Sequence, residues 1–425
     1  MKIRISQIER ALVIFILSAN IMFFSIPGLS SALESICGFS NKKLVVISIF
    51  VLLILNTRGK IHTSALRGTS SRIVQYYIAM YLITFLISWI SYKVVTIQTF
   101  MSVYYYAFAI LLYFPLKRML KSEEDYRWLI NTIIIIGTIY SVYMIISKGV
   151  YQLSGKIIFD TISQYMQFRN GSLRLARPAN FVCISSVFCF TQYLKLSKKQ
   201  KKSKNAAIKY LILFVIGMVC LLYVSQTRTY YVAFLFCCVM GLLSFYSSKK
   251  KVILICALMF CIPLFVPSLQ TFTASFYSEE NVWGTEIRLS GYAYFLSHMF
   301  DNFLCGIGLV SGTSYSSLLT GGKDLYGYVI TDMGYTGFLG VFGILGVILL
   351  IALFVLFLIT YRSFKSAGLI YEYPEVVCIP IFFIIITWSL SFADPQRSLY
   401  LPIILSVYGY FEKVIDFRKR DGRLQ

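Results

Sequence analysis

The chain is a succession of apolar stretches joined by short polar connections. The apolar runs recur from end to end, and most are about twenty residues long, enough for a helix to cross the hydrocarbon core of a bilayer. This pattern predicts an all-α polytopic membrane protein with about twelve transmembrane helices. The predicted spans cover residues 10–29, 43–57, 73–91, 99–116, 127–147, 178–196, 209–225, 229–247, 251–268, 337–360, 375–393 and 398–416.

Two of the polar connections are much longer than the others. With both ends of the chain on the inner side, residues 148–176 form a first extracytoplasmic loop and residues 268–336 form a large extracytoplasmic loop. We expect no soluble domain at either end, so residues 1–425 make a single integral membrane domain. Specific chemistry is usually placed on loops that a rigid scaffold holds, which directs attention to these two segments.

The large loop contains a stretch with helical periodicity, TEIRLSGYAYFLSHMFDNFLCG at residues 285–306. At 100° per residue, one face of this helix is apolar and the opposite face is polar. The apolar face carries Leu289, Tyr292, Leu296, Met299, Phe300 and Phe303, and the other carries Arg288, Gly291, His298 and Asn302, with Asp301 at its edge. We expect an amphipathic helix that lies along the outer membrane surface or folds back over the bundle.

Glycine dominates the sequence after this helix. The stretch GIGLVSGTSYSSLLTGG, which starts at Gly306, is rich in Gly and Ser and is expected to form a mobile lid. In the next stretch, TDMGYTGFLGVFGILG, a glycine recurs every third residue from Gly334 to Gly346. Small residues at that spacing predict close approach of helices within the bilayer.

The charge distribution supports a membrane protein and indicates its orientation. The chain is 58% hydrophobic and only 14% charged, with a mean hydropathy of +0.72. A net charge of +22 is also typical of nucleic-acid binding, but 28 of the 40 Lys and Arg residues fall on the predicted inner side. The basic excess therefore indicates cytoplasmic termini, and we expect no nucleic-acid partner.

The residues that commonly hold metals are not grouped in this sequence. The ten cysteines lie mostly within predicted spans, where they behave as small apolar residues. There is no CxxC motif and no Cys/His cluster, and the two histidines, His62 and His298, fall on opposite sides of the membrane. We therefore expect no metal and no cofactor.

The basic residues on the predicted outer side include six arginines. They are Arg169, Arg174, Arg177, Arg228, Arg288 and Arg397. An arginine at the end of a span can be a simple interfacial anchor whose stem extends toward water. A planar guanidinium, unlike a lysine ammonium, also binds phosphate oxygens through two parallel hydrogen bonds. We therefore expect these arginines to cluster and to bind a lipid diphosphate headgroup.

Four stretches, in a fixed order, resemble the O-antigen polymerase and ligase superfamily of bacterial surface-polysaccharide assembly. They are LRLARPANF (173–181), VSQTRTYYVAFLF (224–236), EIRLSGYAYFLSHMFDNFLCGIG (286–308) and DMGYTGFLGVFGILG (332–346). In that family one arginine precedes a stretch with proline and asparagine, another follows a small polar residue at a span boundary, and a third opens the helix of the large outer loop. Arg177, Arg228 and Arg288 match these positions, and the resemblance implies a GT-C-like bundle.

The resemblance also implies an activity, a location and partners. A Wzy-type O-antigen or capsule polymerase would transfer the growing glycan from undecaprenyl diphosphate to a sugar hydroxyl on another lipid-linked repeat unit. It would lie in the bacterial cytoplasmic (inner) membrane, with a chain-length regulator protein as a further partner. Ligases of the family carry a histidine just before the glycine-rich span, where this chain has Asp332. That departure favours a polymerase over a ligase that joins the glycan to lipid A core, and a flippase for the same lipid-linked oligosaccharide is a further alternative.

The same resemblance assigns roles to individual residues. The donor is already activated by its diphosphate, so the protein has to supply position and charge stabilisation. We expect Arg177, Arg228 and Arg288 to bind the diphosphate, and Arg288 and Asp332 to be the catalytic residues. Asp332 is the first choice as base for the acceptor hydroxyl, with helix capping or ion pairing as its structural alternative. Additional candidates are Arg174, His298 and Asp301.

Overall fold

The computed structural model of the protein is a bundle made mostly of α-helices. It describes residues 5–20, 41–57, 66–92, 105, 107–156, 166–169, 172–175, 179–198, 204–245, 279–310, 316–321, 328, 330–394 and 397–420. Within these residues, the buried apolar side chains form one large cluster and a smaller one around Phe295 and Met333.

The first part of the bundle, residues 5–245, contains eight helices and a β-hairpin among its described residues. The helices are α1 (Ile5–Asn20), α2 (Asn41–Thr57), α3 (Thr69–Tyr92), α4 (Tyr113–Met119), α5 (Glu123–Ser154), α6 (Ala179–Ser197), α7 (Lys204–Val219) and α8 (Arg228–Phe245). A 3-10 turn, Ile110–Leu112, precedes α4, and a π-helical turn, Cys220–Ser225, continues α7. The hairpin consists of β1 (Met166–Arg169) and β2 (Ser172–Leu175), which pair antiparallel.

The second part of the bundle, residues 279–420, contains five helices and two 3-10 turns among its described residues. The helices are α9 (Glu279–Asp301), α10 (Ser316–Thr320), α11 (Gly334–Ser366), α12 (Glu375–Ser389) and α13 (Tyr400–Arg420). The 3-10 turn Ile330–Asp332 precedes α11, and the turn Leu369–Tyr371 precedes α12.

Among the described residues, four helices are long and apolar enough to cross a membrane: α3, α5, α7 with its π-helical turn, and α11. Three more, within α2, α8 and α12, are apolar but shorter. These helices support a helical membrane protein, while the full set of twelve spans stays a prediction. In the described residues, the predicted span 99–116 contains helical positions at 105 and 107–109, the 3-10 turn and the start of α4, and the predicted span 251–268 lies outside the described residues.

Polar contacts show which helix ends lie together. The Arg10 guanidinium binds the Asp125 carboxylate at 2.8 Å, which joins the beginnings of α1 and α5. The Ser70 amide and hydroxyl donate to the Glu412 carboxylate at 2.8 and 3.0 Å, which caps the start of α3 with a side chain from α13. We call this the terminal end of the bundle, because α1 begins there and α13 ends there.

The opposite end carries the hairpin and the segment after α9. There the Tyr92 hydroxyl, at the end of α3, donates to the Ile307 carbonyl at 3.0 Å. The Thr229 and Ser389 hydroxyls are 2.8 Å apart, which joins the start of α8 to the end of α12. We call this the loop end.

The hairpin is a departure from the all-α prediction. It is connected by the dipeptide Asn170–Gly171, since residue 169 pairs with residue 172 across the two strands. Asn-Gly between two short alternating segments is the strongest local signal for a two-residue hairpin. The sequence therefore contained an indication of a hairpin at Asn170–Gly171. The all-α prediction missed it because it rested on the long apolar spans on either side.

The first loop also begins later than predicted. We placed its start at residue 148, whereas α5 continues to Ser154 and ends at a left-handed Gly155. Lys148 is fully buried inside this helix: its ammonium donates to the Tyr223 carbonyl and lies 4.4 Å from the centre of the Tyr223 ring. The lysine did not mark a loop boundary, because the carbonyl and ring of Tyr223, in the π-helical turn after α7, are partners for its charge.

Lys148→Met is expected to lower the free energy of unfolding by about 1–3 kcal/mol, since it leaves the Tyr223 carbonyl without its donor while keeping the apolar stem. Thermal melting in detergent micelles measures the loss. The matched control is Lys156→Met at an exposed lysine just after the helix, which should change stability by no more than about 0.5 kcal/mol. Equal melting temperatures for the two variants would contradict the role of Lys148.

The glycine-rich helix α11 is interrupted near its start. Gly343 has φ 53° and ψ −138°, which are not helical, so the helix is broken there. The segment after α9 supplies hydrogen-bond partners at the break: the Ile344 amide donates to the Phe303 carbonyl at 2.8 Å, and the Ile307 amide donates to the Gly340 carbonyl at 2.7 Å. Irregular backbone is tolerated in a membrane protein where other protein groups satisfy it in this way.

Two predictions concern this region: close approach of helices at the glycines and a mobile lid that starts at Gly306. Close approach is confirmed at Gly340, where an added Cβ would lie 2.7 Å from the Cβ of Phe295, but the interruption at Gly343 was not predicted. Residues 306–310, the first part of the predicted lid, are buried and are fixed to α11 and α3 by backbone contacts. Residues 311–315 and 322 of the same segment lie outside the described residues.

Helix α9 folds back over the bundle. It starts and ends earlier than the predicted range 285–306, and its side toward the protein carries Gly291 and Phe295, which pack on Met333 and Gly340. Several members of the predicted apolar face point away from the protein, with Leu289 62% and Phe300 68% exposed. Those side chains are therefore available to lipid, and the protein contact uses a different face from the predicted one.

Candidate functional site

The hairpin brings Arg174 to the end of helix α7. Its Nε donates to the Ser225 carbonyl at 2.8 Å, and its Nη2 donates to the Thr227 hydroxyl at 3.0 Å. The π-helical turn ends at Gln226, which has a left-handed φ of 51°, and the chain then turns into α8. Arg174 therefore holds the turn between α7 and α8 in place, in line with the preference of cations for helix C-terminal ends.

Two of the predicted diphosphate ligands adjoin this turn in the sequence. Arg228 is the first residue of α8, directly after the turn that Arg174 binds, and its side chain is outside the described part of the structure. Arg177, two residues after β2, lies outside the described residues altogether. The start of α8 is positioned at the loop end by the contact between Thr229 and Ser389.

A second buried cation at the loop end, besides Lys148, is Arg397, between α12 and α13. Its Nη2 forms a salt bridge of 2.5 Å with Asp394, and the two side chains are only 5% and 7% exposed. Burial lowers the pKa of Arg397, but the neighbouring Asp394 carboxylate outweighs burial, and the pKa is raised above its ordinary value with further contributions from Tyr230, Asp332 and Tyr400. Arg397 thus remains charged inside the protein.

We expected Arg397 to lie with the other outer arginines, without a specific role. The structure instead places it at the centre of a group of polar side chains. The signal that could have found it is the segment ADPQRS (393–398), in which an acid precedes an arginine by three residues between two strongly apolar helices. Burying a charge between such helices is costly unless a charge of opposite sign pairs with it or the residue has a function.

Two buried tyrosines surround Arg397. The Tyr230 hydroxyl, from α8, donates to the Asn180 side-chain carbonyl of α6, within the motif stretch LRLARPANF. The Tyr400 hydroxyl, at the start of α13, is buried and makes no hydrogen bond to any described residue. The single proton of the Tyr230 hydroxyl is therefore used by Asn180, whereas the Tyr400 hydroxyl can donate a hydrogen bond to an anion.

Asp332 and Arg288 extend this group of polar side chains. Asp332 is half-buried in the 3-10 turn before α11, close enough to affect the pKa of both Arg397 and Tyr292. Burial raises the pKa of Tyr292, the exposed Arg288 one turn earlier on α9 lowers it, and Asp332 raises it further. No described cation lies within 4.0 Å of the Asp332 carboxylate, so ion pairing with those residues does not occupy it.

These contacts define a group of polar residues that we call the arginine cluster. It consists of Tyr230, Arg288, Tyr292, Asp332, Asp394, Arg397 and Tyr400. The cluster joins helices α8, α9 and α13 with the turns before α11 and α13, so it depends on the whole loop end. It contains two guanidinium groups and the Asp332 carboxylate, which interacts electrostatically with Arg397 and with Tyr292. Such groups can bind an anion and accept a proton.

The remaining candidates are not part of the arginine cluster. His298 packs edge-on against Tyr294, with the ring centres 4.5 Å apart. At about 1.5 Å per residue, His298 lies roughly 15 Å and the exposed Asp301 roughly 20 Å along α9 from Arg288. The structure therefore brings Arg288 and Asp332 together but leaves His298 and Asp301 at the far end of the helix.

Comparison with protein-family models gives no match for this chain, and a search among curated proteins gives no relative.

Proposed function

We propose that this chain is a surface-polysaccharide polymerase of the O-antigen or capsule type. It transfers a growing glycan from undecaprenyl diphosphate to another lipid-linked repeat unit. The observation that carries the proposal is the arginine cluster at one end of the helical bundle, in which Asp332 interacts electrostatically with Arg397, and both Asp332 and Arg288 interact with Tyr292. Two of these residues belong to the motif stretches that resemble the polymerase and ligase superfamily, and Arg397 adds a second guanidinium.

The two arginines suit different parts of a lipid diphosphate. Arg288 is exposed on α9, where an arriving headgroup first meets the protein, whereas Arg397 is buried and fixed by Asp394. A fixed guanidinium in a dry site stabilises charge that develops on a leaving group more strongly than one in water. Arg397 and Arg288 therefore hold the diphosphate while the bond to the glycan breaks.

Asp332 takes the proton in this reaction. Its carboxylate accepts the proton of the acceptor sugar hydroxyl, and the hydroxyl oxygen forms a bond to the anomeric carbon of the donor glycan. The bond from that carbon to the diphosphate oxygen breaks, and its electron pair leaves on undecaprenyl diphosphate. Tyr292 keeps its own proton, because its pKa is raised, and it can donate a hydrogen bond beside Asp332.

The proposal includes the location and the partners. The protein lies in the bacterial cytoplasmic membrane as a multi-pass protein with the loop end facing outward and both termini in the cytoplasm, as the distribution of Lys and Arg favours. Its substrates are undecaprenyl-diphosphate-linked repeat units, and a chain-length regulator protein is a further partner.

A reconstitution experiment tests the activity. The purified protein in proteoliposomes is given lipid-linked repeat units, and the lipid-linked products are separated by length. A ladder of polymer lengths supports the polymerase. Transfer of the glycan to added lipid A core indicates a ligase, and movement of the lipid-linked unit across the bilayer without new bonds indicates a flippase. Either of these two results contradicts the proposal.

Asp332→Asn is expected to slow polymer synthesis by roughly 100-fold or more, since the amide cannot accept the acceptor proton. Binding of the lipid-linked donor should persist, because the arginines remain. The rate of ladder formation and the retention of donor in the same proteoliposomes measure the two effects.

The matched control for Asp332 is Asp301→Asn, which removes an exposed carboxylate at the end of α9. This variant should synthesise polymer at the rate of the unmodified protein. If Asp332→Asn were as active as Asp301→Asn, Asp332 would not be the base.

A further inference from the structure

We propose that a cleft at the terminal end of the bundle binds the phosphate group of an anionic molecule. The cleft has a volume of about 230 Å³ and lies between α1, α2, α4 and the start of α5. Its polar lining includes Ser6, Arg10, Asn56, Arg118 and Lys121, with Trp128 beside them. It lies at the opposite end of the bundle from the arginine cluster and does not depend on the proposed transferase activity.

The charged groups that line the cleft leave an excess of positive charge. Arg10 is paired with Asp125 at 2.8 Å and lies over the Trp128 ring, 5.0 Å from its centre. Arg118 is half-buried and donates to the Asn56 carbonyl at the end of α2. Lys121 is exposed, and its ammonium has no hydrogen-bond or ion-pair partner among the described residues.

Two carboxylates line the cleft: Asp125, which is paired with Arg10, and Glu9. Glu9 accepts a hydrogen bond from the Asn56 side-chain amide at 3.3 Å, which leaves Arg118 and Lys121 as two cations against a single unpaired acid. More positive charge lies behind the cleft wall. The Lys413 ammonium donates to the Leu120 carbonyl at 2.9 Å and interacts electrostatically with Lys121. This concentration of like charge attracts an anion to the cleft.

A phosphate group fits the chemistry of this lining. A guanidinium offers a planar pair of donors to phosphate oxygens, and an ammonium adds a point charge. A water molecule occupies about 30 Å³ of liquid volume, so the cleft has room for several waters, and a phosphate group could take their place. The donors of Arg118 and Lys121 could serve a free phosphate or the phosphodiester of a lipid headgroup.

The surroundings of the cleft favour a phospholipid. Ile8 on α1 is 40% exposed and Ile54 on α2 is 69% exposed, so the helices that form the cleft also present apolar surface to acyl chains. Trp128 is half-buried at the cleft, as is usual for tryptophan at a membrane–water boundary. Basic pockets between membrane helices on the cytoplasmic side commonly bind anionic headgroups.

Lipid binding to the purified full-length protein tests the proposal. Short-chain phosphatidylglycerol, short-chain phosphatidylcholine and inorganic phosphate are titrated separately, and bound molecules are counted by native mass spectrometry. We expect phosphatidylglycerol to bind more tightly than phosphatidylcholine. Lys121→Gln should weaken phosphatidylglycerol binding about fivefold, the effect of removing one cation near a membrane surface, and Arg118→Gln should weaken it at least as much.

Two control variants separate the parts of the site. Lys209→Gln removes an exposed lysine at the start of α7, outside the cleft, and should leave binding unchanged. Ile54→Ser should weaken phosphatidylglycerol binding but not phosphate binding if the source is a lipid. If inorganic phosphate binds with the same dependence on Lys121 and the lipid binds no better, the site takes a soluble phosphate. Equal binding of both lipids with no phosphate binding, or equal losses for Lys121→Gln and Lys209→Gln, overturns the proposal.

Discussion

Replacing Arg397 with methionine is expected to destabilise the protein by about 3–5 kcal/mol and to abolish polymer synthesis. The stability loss arises because the Asp394 carboxylate, only 7% exposed, stays buried without its salt-bridge partner. The loss of activity, at least roughly 100-fold, arises because one of two guanidiniums is removed from the leaving diphosphate. Thermal melting in detergent measures the first effect, and ladder formation in proteoliposomes measures the second.

A double variant separates the structural role of Arg397 from its role in the reaction. Arg397→Met combined with Asp394→Leu removes both charges, so most of the lost stability should return, whereas polymer synthesis should stay absent. The control is Arg127→Met, which breaks an exposed salt bridge with Glu123 and should cost no more than about 0.5 kcal/mol. A double variant that makes polymer normally would contradict the proposed role of Arg397.

Gly306→Ala is expected to lower the free energy of unfolding by about 4 kcal/mol. Gly306 has a φ of 55°, which an L side chain adopts only with strain, and an added Cβ would overlap the Gly340 carbonyl group. Gly343→Ala should be similar, because φ is 53° and the new Cβ would lie 2.6 Å from the Phe303 carbonyl oxygen. The temperature of unfolding in detergent and the yield of monodisperse protein measure both losses.

The chain offers a matched control for these glycine variants. Gly149 lies within α5, near the C-terminal end of the helix, with no atom within 4 Å of an added Cβ. Gly149→Ala should therefore leave stability unchanged or raise it by up to about 1 kcal/mol, from the better helix propensity of alanine. If Gly306→Ala melted together with Gly149→Ala, the backbone contacts at the break in α11 would not contribute to the fold.

The helical membrane character of the fold could be predicted from the apolar runs, because their length is set by the thickness of the bilayer. The ends of helices that depend on tertiary contacts could not be predicted in this way. Lys148 resembled a loop residue, since only the folded chain brings it to the Tyr223 carbonyl. The break at Gly343 was hidden for the same reason, because its hydrogen-bond partners come from residues about forty positions earlier in the sequence.

The candidate site could be predicted in part. Arg288 and Asp332 were selected from the sequence, and in the structure both interact electrostatically with Tyr292. Arg397 was grouped with the outer arginines, but its burial beside Asp332 depends on how α12 and α13 pack. Sequence spacing does not reveal which separate turns meet in space.

The broken helix α11 has a consequence for how a substrate would be received. The bonds from Ile344 to Phe303 and from Ile307 to Gly340 attach the end of α9 to α11 at two points, and the packing of Gly291 on Met333 adds a third. The entropy of arranging Arg288 relative to Asp332 is therefore lost when the chain folds rather than when a ligand arrives. A lipid-linked sugar would meet a preorganised surface, and its binding energy would remain available for the reaction itself.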